Sequence, residues 1–138
     1  MKLYAWVDNG QLFTTEDKNL ALSNAIEFEV ESFDDLIWDG TQIRLKTQDE
    51  KLQELKSQKL SELKTYVAGL LAQTDYVITK IAEAQVQNDN AEVEAIKQKY
   101  ATQLQQREAI RQWSEQMKQA IRNAQTLEEL RSIEIEYG

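Results

Sequence analysis

Three residue types are missing altogether from this chain: cysteine, histidine and proline. Without histidine or cysteine there is no Ser-His or Cys-His nucleophilic pair, and no zinc site of the usual ligand set. Without cysteine there is also no disulfide framework, so nothing in the composition ties the fold to an oxidising compartment. At ordinary usage a chain of this length would carry about seven prolines. A chain with none suits long uninterrupted helices, because proline removes an amide donor and clashes with the preceding turn. Glycine is sparse, with four residues at 10, 40, 69 and 138, and they form neither a G-x-G-x-x-G fingerprint nor a P-loop. No apolar run approaches the ~18 residues of a membrane span, and the opening stretch Met1 to Asp8 has no signal-peptide core. The expectation is a soluble protein made in the cytoplasm.

What is present suffices for a buried core. Apolar residues make up 41% of the 138, and there are three Trp, five Tyr and three Phe. The net charge of −8 is unevenly placed. Residues 1–50 carry four bases (Lys2, Lys18, Arg44, Lys46) against eleven acids, hence −7; residues 51–138 carry twelve bases against thirteen acids, hence −1. Neither part has the clustered Lys and Arg that a phosphate backbone requires, so nucleic acid is not an expected partner. An acidic face serves solubility or meets a basic partner.

Residues 1–46 read as strands and turns. Leu3, Ala5 and Val7 alternate with Tyr4 and Trp6, the period of a strand. Asn9-Gly10 supplies the positive φ angles of a tight hairpin, with Gln11 to Thr14 returning. Ile26, Phe28 and Val30 alternate with Glu27, Glu29 and Glu31, a strand with one wet, acidic face. Ser32 to Trp38 predicts one or two helical turns capped by Ser32, with Asp34 and Asp35 at the positive end. Asp39-Gly40 breaks that helix, and Gln42 to Lys46 forms a last strand. At Thr47 the character changes. Thr47 and Glu50 form a capping box, and Leu52, Leu55, Leu60, Leu63, Val67, Leu70 and Leu71 mark a helix over 48–72, free at its first turns, with a slip of phase between Leu55 and Leu60. Thr74-Asp75 caps a second helix through Val77, Ile81 and Ala84. Asn88-Asp89-Asn90 ends it and opens a long third helix over 91–124, with a stripe through Val93, Ile96, Tyr100, Leu104, Ile110, Trp113, Met117 and Ile121. Thr126 and Glu129 form another box before a short helix, and Ile133 and Ile135 suggest an extended tail. The predicted fold class is α+β. A small antiparallel β-rich head (1–46) precedes an α-helical hairpin or three-helix stalk (47–138), whose helices hold by packing their apolar stripes and offer a route to self-association.

Catalysis would have to use carboxylates, Lys or Tyr. Asp34 and Asp35 are adjacent and diverge by about 100° in a helical turn. Glu27, Glu29 and Glu31 share a strand face; paired carboxylates can hydrolyse glycosides, but a solvated face is the plainer reading. The Asp8-Asn9-Gly10 and Asp39-Gly40 turns lack the remaining ligands of a calcium loop. No catalytic residue, metal or cofactor is therefore expected. Six aromatics, Tyr4, Trp6, Phe13, Phe28, Phe33 and Trp38, crowd the head. A sheet this small cannot bury both faces of each strand, and exposed rings among acids suit a protein-binding patch. In the stalk, Tyr76, Tyr100, Arg107, Arg111 and Trp113 are the residues expected to pack or make contacts. Arg107 and Arg111 lie four apart, with their stems on the apolar face and their heads wet or paired with an acid such as Asp75.

The order of these features resembles the tail fibre assembly proteins of tailed bacteriophages. In the head, Ala25-Ile26-Glu27, Phe33, Asp35-Leu36-Ile37-Trp38-Asp39-Gly40 and Ile43 follow that family's V-E-I, short helix, Gly and strand pattern. In the stalk, Leu70-Leu71-Ala72, an acidic break, then Tyr100, Leu104, Arg107, Ile110-Arg111 and Trp113 keep a similar order. The family's Trp-Lys-x-Tyr-Arg type signature is absent, and Thr126 to Gly138 is extra. The resemblance implies a non-enzymatic chaperone that binds the C-terminal tip of a phage tail fibre and helps it trimerise. It would act in the cytoplasm of the bacterial host or stay on the virion as a cap. The resemblance leaves a permanent structural component of the tail as a second role, and the −7 of residues 1–50 leaves an acidic mimic of nucleic acid as a third.

Overall fold

The computed structural model describes residues 1–138. The fold is α+β, with short antiparallel strands first and helices after. The chain divides into two units, Met1–Lys51 and Leu52–Gly138. The division falls inside the first helix, one residue past the Thr47–Glu50 capping box that marks its start in the sequence.

In the first unit, β1 (Lys2–Asp8) is the central strand of three, flanked by β2 (Gln11–Thr15) and β3 (Ile26–Glu29) in the order β2-β1-β3. Asn9 (φ 51°) and Gly10 (φ 75°) turn the first hairpin. Two residues with positive φ match the right-handed twist of the strands they join, and they set the register Asp8 to Gln11, Val7 to Leu12 and Trp6 to Phe13. One face of the sheet carries Leu3 and Ala5, both fully buried, which join buried Val30 and Leu36 with Leu12, Phe28 and Ile43 around them.

The segment read as a helix over 32–38 is only partly one. Phe33–Asp35 form a single 3-10 turn capped by Ser32. Leu36–Trp38 then extend as β4 and pair with β5 (Ile43–Leu45). Asp39-Gly40 is thus a hairpin turn and not a helix stop. Its geometry comes from Asp39, whose Oδ1 accepts from the amides of Thr41 and Gln42, both at 2.9 Å. Those amides, chiefly that of Gln42, hold the Asp39 carboxyl below the usual carboxylate range.

Helix α1 (Gln48–Ala72) starts on a complete capping box. Glu50 N donates to Thr47 Oγ1 at 3.1 Å, and Thr47 N donates to Glu50 Oε1 at 2.9 Å. Its first turn is not free as the sequence suggests. Arg44 holds Glu50 with two parallel bonds of 2.6 and 3.1 Å and reaches Asp39 through Nε at 3.0 Å. Lys51 lies 3.3 Å from Asp35. The Arg44 fork, before any other cause, pulls the Glu50 carboxyl down to about 2, and the same pairing raises the guanidinium. An acid depressed in the fold adds stability above its ordinary value of about 4.3 and loses it as pH falls through the folded value. The urea midpoint of the first unit, followed through Trp6 and Trp38 in a Trp113→Phe background, is therefore expected to drop between about pH 4.3 and about pH 2. With Arg44→Gln it should start lower and change less over that interval; parallel profiles for the two proteins would refute the assignment.

In the second unit, α1 packs on α4 (Ala101–Asn123) and α5 (Leu127–Arg131) around Leu63, Ile121, Ala124 and Leu130. α2 (Asp75–Val86) packs on α3 (Asn90–Lys99) around Val77, Ala84, Val93 and Ile96, with Tyr100 and Leu104 beside them. The slip of phase in α1 is where lysines take over the stripe. Lys56 Nζ donates to the Arg122 carbonyl (2.8 Å), which the end of α4 leaves without an intrahelical partner, and Lys59 Nζ donates to the Ile133 carbonyl (2.7 Å). The α2–α3 corner needs two residues. Asn88 (φ 55°) ends α2, with Asp89 N on the Ala84 carbonyl (2.9 Å) and Asn88 N on the Gln85 carbonyl (3.0 Å); Asp89 Oδ1 then caps α3 through Glu92 N (3.0 Å).

Three helix expectations need correction. The long third helix is two, parted at Tyr100 (φ −109°, ψ 28°). The backbone ladder persists across it, with Tyr100 N on the Ile96 carbonyl and Leu104 N on the Tyr100 carbonyl, both 3.0 Å. The residue is thus a bend, lying between a stretch that packs on α2 and one that packs on α1. Thr74 precedes α2 without capping it; its hydroxyl faces the Leu71 carbonyl at 3.3 Å. Thr126 does cap α5, but Glu129 closes back on Gln125 N (2.9 Å) and not on the cap's own amide. No helix is long and apolar enough to cross a membrane.

Candidate functional site: an aromatic sheet face

Directly opposed residues on antiparallel strands share a face. With Leu3 and Ala5 buried beneath, Tyr4 and Trp6 stand on the other side of β1. The tight hairpin brings Phe13 across from Trp6, and the two rings stack at 5.9 Å with 15° between their planes. Trp6 is half-buried, whereas Phe13 keeps 41% of its surface exposed. β3 supplies acids to the same face. Glu27 opposes Tyr4 and accepts from its hydroxyl at 3.2 Å, and Glu29 opposes Lys2. Partial burial of the phenol and the adjacent Glu27 carboxylate both raise its pKa, so Tyr4 stays a neutral donor. The result is a flat patch of Tyr4, Trp6 and Phe13 edged by carboxylates.

The other three aromatics do not join it. Phe28 opposes Leu3 and packs against the buried cluster, so register assigns it to the core side. Trp38 is half-buried on the same face of its strand as buried Leu36. Phe33 is 53% exposed in the 3-10 turn.

Nor do the acids singled out as possible catalysts form a reactive pair. Glu27, Glu29, Glu31 and Asp34 are exposed. Asp35 is buried, and burial alone would raise its carboxyl. The amides of Glu31 (2.9 Å) and Ser32 (3.1 Å), together with Lys51, outweigh that and leave its pKa lowered. A carboxylate so committed holds a loop and is a poor proton donor.

In the second unit the two arginines have different fates. Arg107 is 6% exposed; one terminal nitrogen donates to the Leu71 carbonyl (2.8 Å), Thr74 Oγ1 (3.0 Å) and Asp75 Oδ1 (2.9 Å). It ties the end of α1 to the start of α2. Arg111, one turn on, is exposed. Tyr76 and Tyr100 meet edge to face at 5.6 Å, with the Lys99 ammonium over the Tyr100 ring. Trp113 lies between Tyr66 (5.8 Å) and Tyr137 (5.2 Å). Neither tyrosine was singled out in the sequence. Tyr66 sits beside Val67 of the apolar stripe, which is the one local signal it gives. In comparisons with known proteins, no family model matches the chain, and neither does any curated protein or solved structure.

Proposed function

We infer that the chain is a non-catalytic protein-binding module whose sheet face of Tyr4, Trp6 and Phe13 receives a partner polypeptide. The cross-strand Trp6–Phe13 stack, on the face opposite the buried cluster, carries this reading. Stacked rings offer a rigid apolar anchor at small entropic cost, and aromatic anchors dominate interface energetics. Four-residue β3, with Ile26 51% exposed at its start, supplies a free sheet edge for strand addition.

The partner we propose is the C-terminal tip of a phage tail fibre, with the chain acting as its assembly chaperone or cap. A fibre tip exposes apolar surface and unpaired strand edges before it trimerises, and a small acidic aromatic sheet suits the task of shielding them. Co-expression with the fibre chain is the test. The intact protein should raise soluble trimer yield, and Trp6→Ala should weaken capture of the fibre by about thirtyfold, the loss typical of an aromatic anchor. Equal trimer yield with and without the protein would sink the fibre reading. Undiminished capture by Trp6→Ala would move the site off this face.

A further inference from the structure

The turn that sets the aromatic hairpin is an exposed Asn-Gly pair, and Asn9 is the one asparagine of six followed by glycine. An asparagine side chain is attacked by the backbone nitrogen of the next residue, so whatever holds that nitrogen decides which asparagine reacts. After Asn19 it is held, with Leu20 N donating to the Asp17 carbonyl at 3.0 Å. After Asn24, Ala25 N donates to the Leu22 carbonyl at 3.0 Å, and after Asn88, Asp89 N donates to the Ala84 carbonyl at 2.9 Å. Asn90 and Asn123 precede alanines, whose methyl groups crowd the approach. Gly10 N donates to no acceptor. Gly10 also has no Cβ, and the space one would fill is open to 4 Å. Asn9 (φ 51°) and Asn88 (φ 55°) share a left-handed backbone; they differ in the freedom of the amide that follows.

We propose that Asn9 is a site of spontaneous covalent modification, which converts the turn to an isoaspartyl linkage and unseats β2. Gly10 N loses its proton to solvent and bonds to Asn9 Cγ, while the Cγ–Nδ2 bond breaks and ammonia leaves. Water then opens the succinimide ring so formed. Opening at Cγ gives aspartate on an ordinary backbone. Opening at the backbone carbonyl carbon leaves the chain running through Cβ and Cγ, one backbone carbon longer. A two-residue turn with both φ positive is matched to the twist of its strands. The added carbon breaks that match and shifts the register of Asp8 with Gln11 and of Trp6 with Phe13. β2 is an edge strand paired to β1 alone, so no second neighbour holds it. Its release takes Phe13 from Trp6 and Leu12 from the buried cluster. The hairpin loses its register in this way whether or not its face receives a fibre.

The full chain, aged in mildly alkaline buffer and mapped by trypsin and mass spectrometry, tests this. The peptide over 3–18 contains Asn9 and no other asparagine. It should gain the mass of an amide-to-acid exchange and resolve into two products, of which the isoaspartyl one alone accepts a methyl group from a protein isoaspartate methyltransferase. Asn19, Asn24 and Asn88 should convert at least about tenfold more slowly, the factor set by freeing a hydrogen-bonded amide. Protein carrying the isoaspartyl product should show a urea midpoint for the first unit lower by about 1 M, read by Trp6 and Trp38 fluorescence in the Trp113→Phe background. Asn9→Asp supplies the other product on a backbone of ordinary length, and Asp-Gly turns the same hairpin, so it should keep the midpoint of fresh protein. Conversion of Asn9 no faster than that of Asn88 overturns the site. A midpoint unchanged once isoaspartate stands at position 9 overturns the effect on the hairpin.

Discussion

Leu63→Ala is expected to lower the unfolding free energy of the second unit by about 3 kcal/mol, within the roughly 2–5 kcal/mol typical of a buried leucine. Leu63 is fully buried, as are Ile121 and Leu130 in the same cluster, and Ala124 is 4% exposed. Four elements meet there: α1, α4, α5 and the segment after it. They give a vacated volume little room to collapse, so the cavity penalty adds to the lost transfer energy. Competing contributions are small. The exposed Lys97–Glu94 and Lys118–Glu115 pairs, each three residues apart on a helix, lie 3.7 and 3.9 Å apart, and such pairs contribute about 0.5 kcal/mol or less. Urea denaturation followed by helical circular dichroism measures the change. Leu20→Ala, at a site 71% exposed in the first unit, is the control and should be close to neutral. A loss below about 1 kcal/mol for Leu63→Ala would mean that this cluster does not hold the helices together.

Much of this architecture is written in local chemistry. Asn9-Gly10 names a two-residue hairpin, and from that turn alone Trp6 must oppose Phe13. Thr47 and Glu50 mark the start of α1, and the leucine stripe carries it to Ala72. What the sequence hides is whatever depends on a distant partner. Leu36-Ile37-Trp38 follows a good N-cap and is too short for its period to be read; the ladder that extends it comes from Ile43–Leu45, across a turn that Asp39 builds with its own side chain. The bend at Tyr100 bears no glycine or proline, because it arises where one helical stripe changes neighbours and not from a residue unable to be helical.

The candidate sites divide along the same line. Alternation places Tyr4 and Trp6 outward from the sequence alone. Phe28 alternates with Glu27 and Glu29 and so already shares the dry face of its strand in the sequence, and its register with Leu3 sets that face on the core. Tyr137 escapes notice because its partners, Trp113 and Tyr66, lie on helices far away in the chain. Arg107 was legible as a stem on an apolar face with an acid near its head, but its two other acceptors, the Leu71 carbonyl and the Thr74 hydroxyl, become available only where α1 ends.

Asp35→Ala should unfold much of the first unit while leaving the second intact. The carboxylate is 9% exposed and accepts from Glu31 N at 2.9 Å and Ser32 N at 3.1 Å, with Lys51 Nζ at 3.3 Å. Alanine leaves two amides and a partly buried ammonium without their acceptor, a loss of about 2–4 kcal/mol. A unit of about fifty residues has only a few kcal/mol of net stability to lose. Fluorescence of Trp6 and Trp38, in the Trp113→Phe background, should therefore move to the red while most of the helical circular dichroism persists. The Tyr4, Trp6 and Phe13 face is lost with the sheet that builds it. Asp35→Asn keeps one acceptor and should fall between. It should also flatten the acid profile, because a carboxyl lowered in the fold contributes above its ordinary pKa and stops contributing as pH falls through the folded value. Asp34 is the internal control: adjacent but exposed, its loss should change stability by about 0.5 kcal/mol or less. Equal effects at the two positions would mean that the loop over 31–35 is held by its backbone alone and that the Asp35 carboxylate is incidental to it.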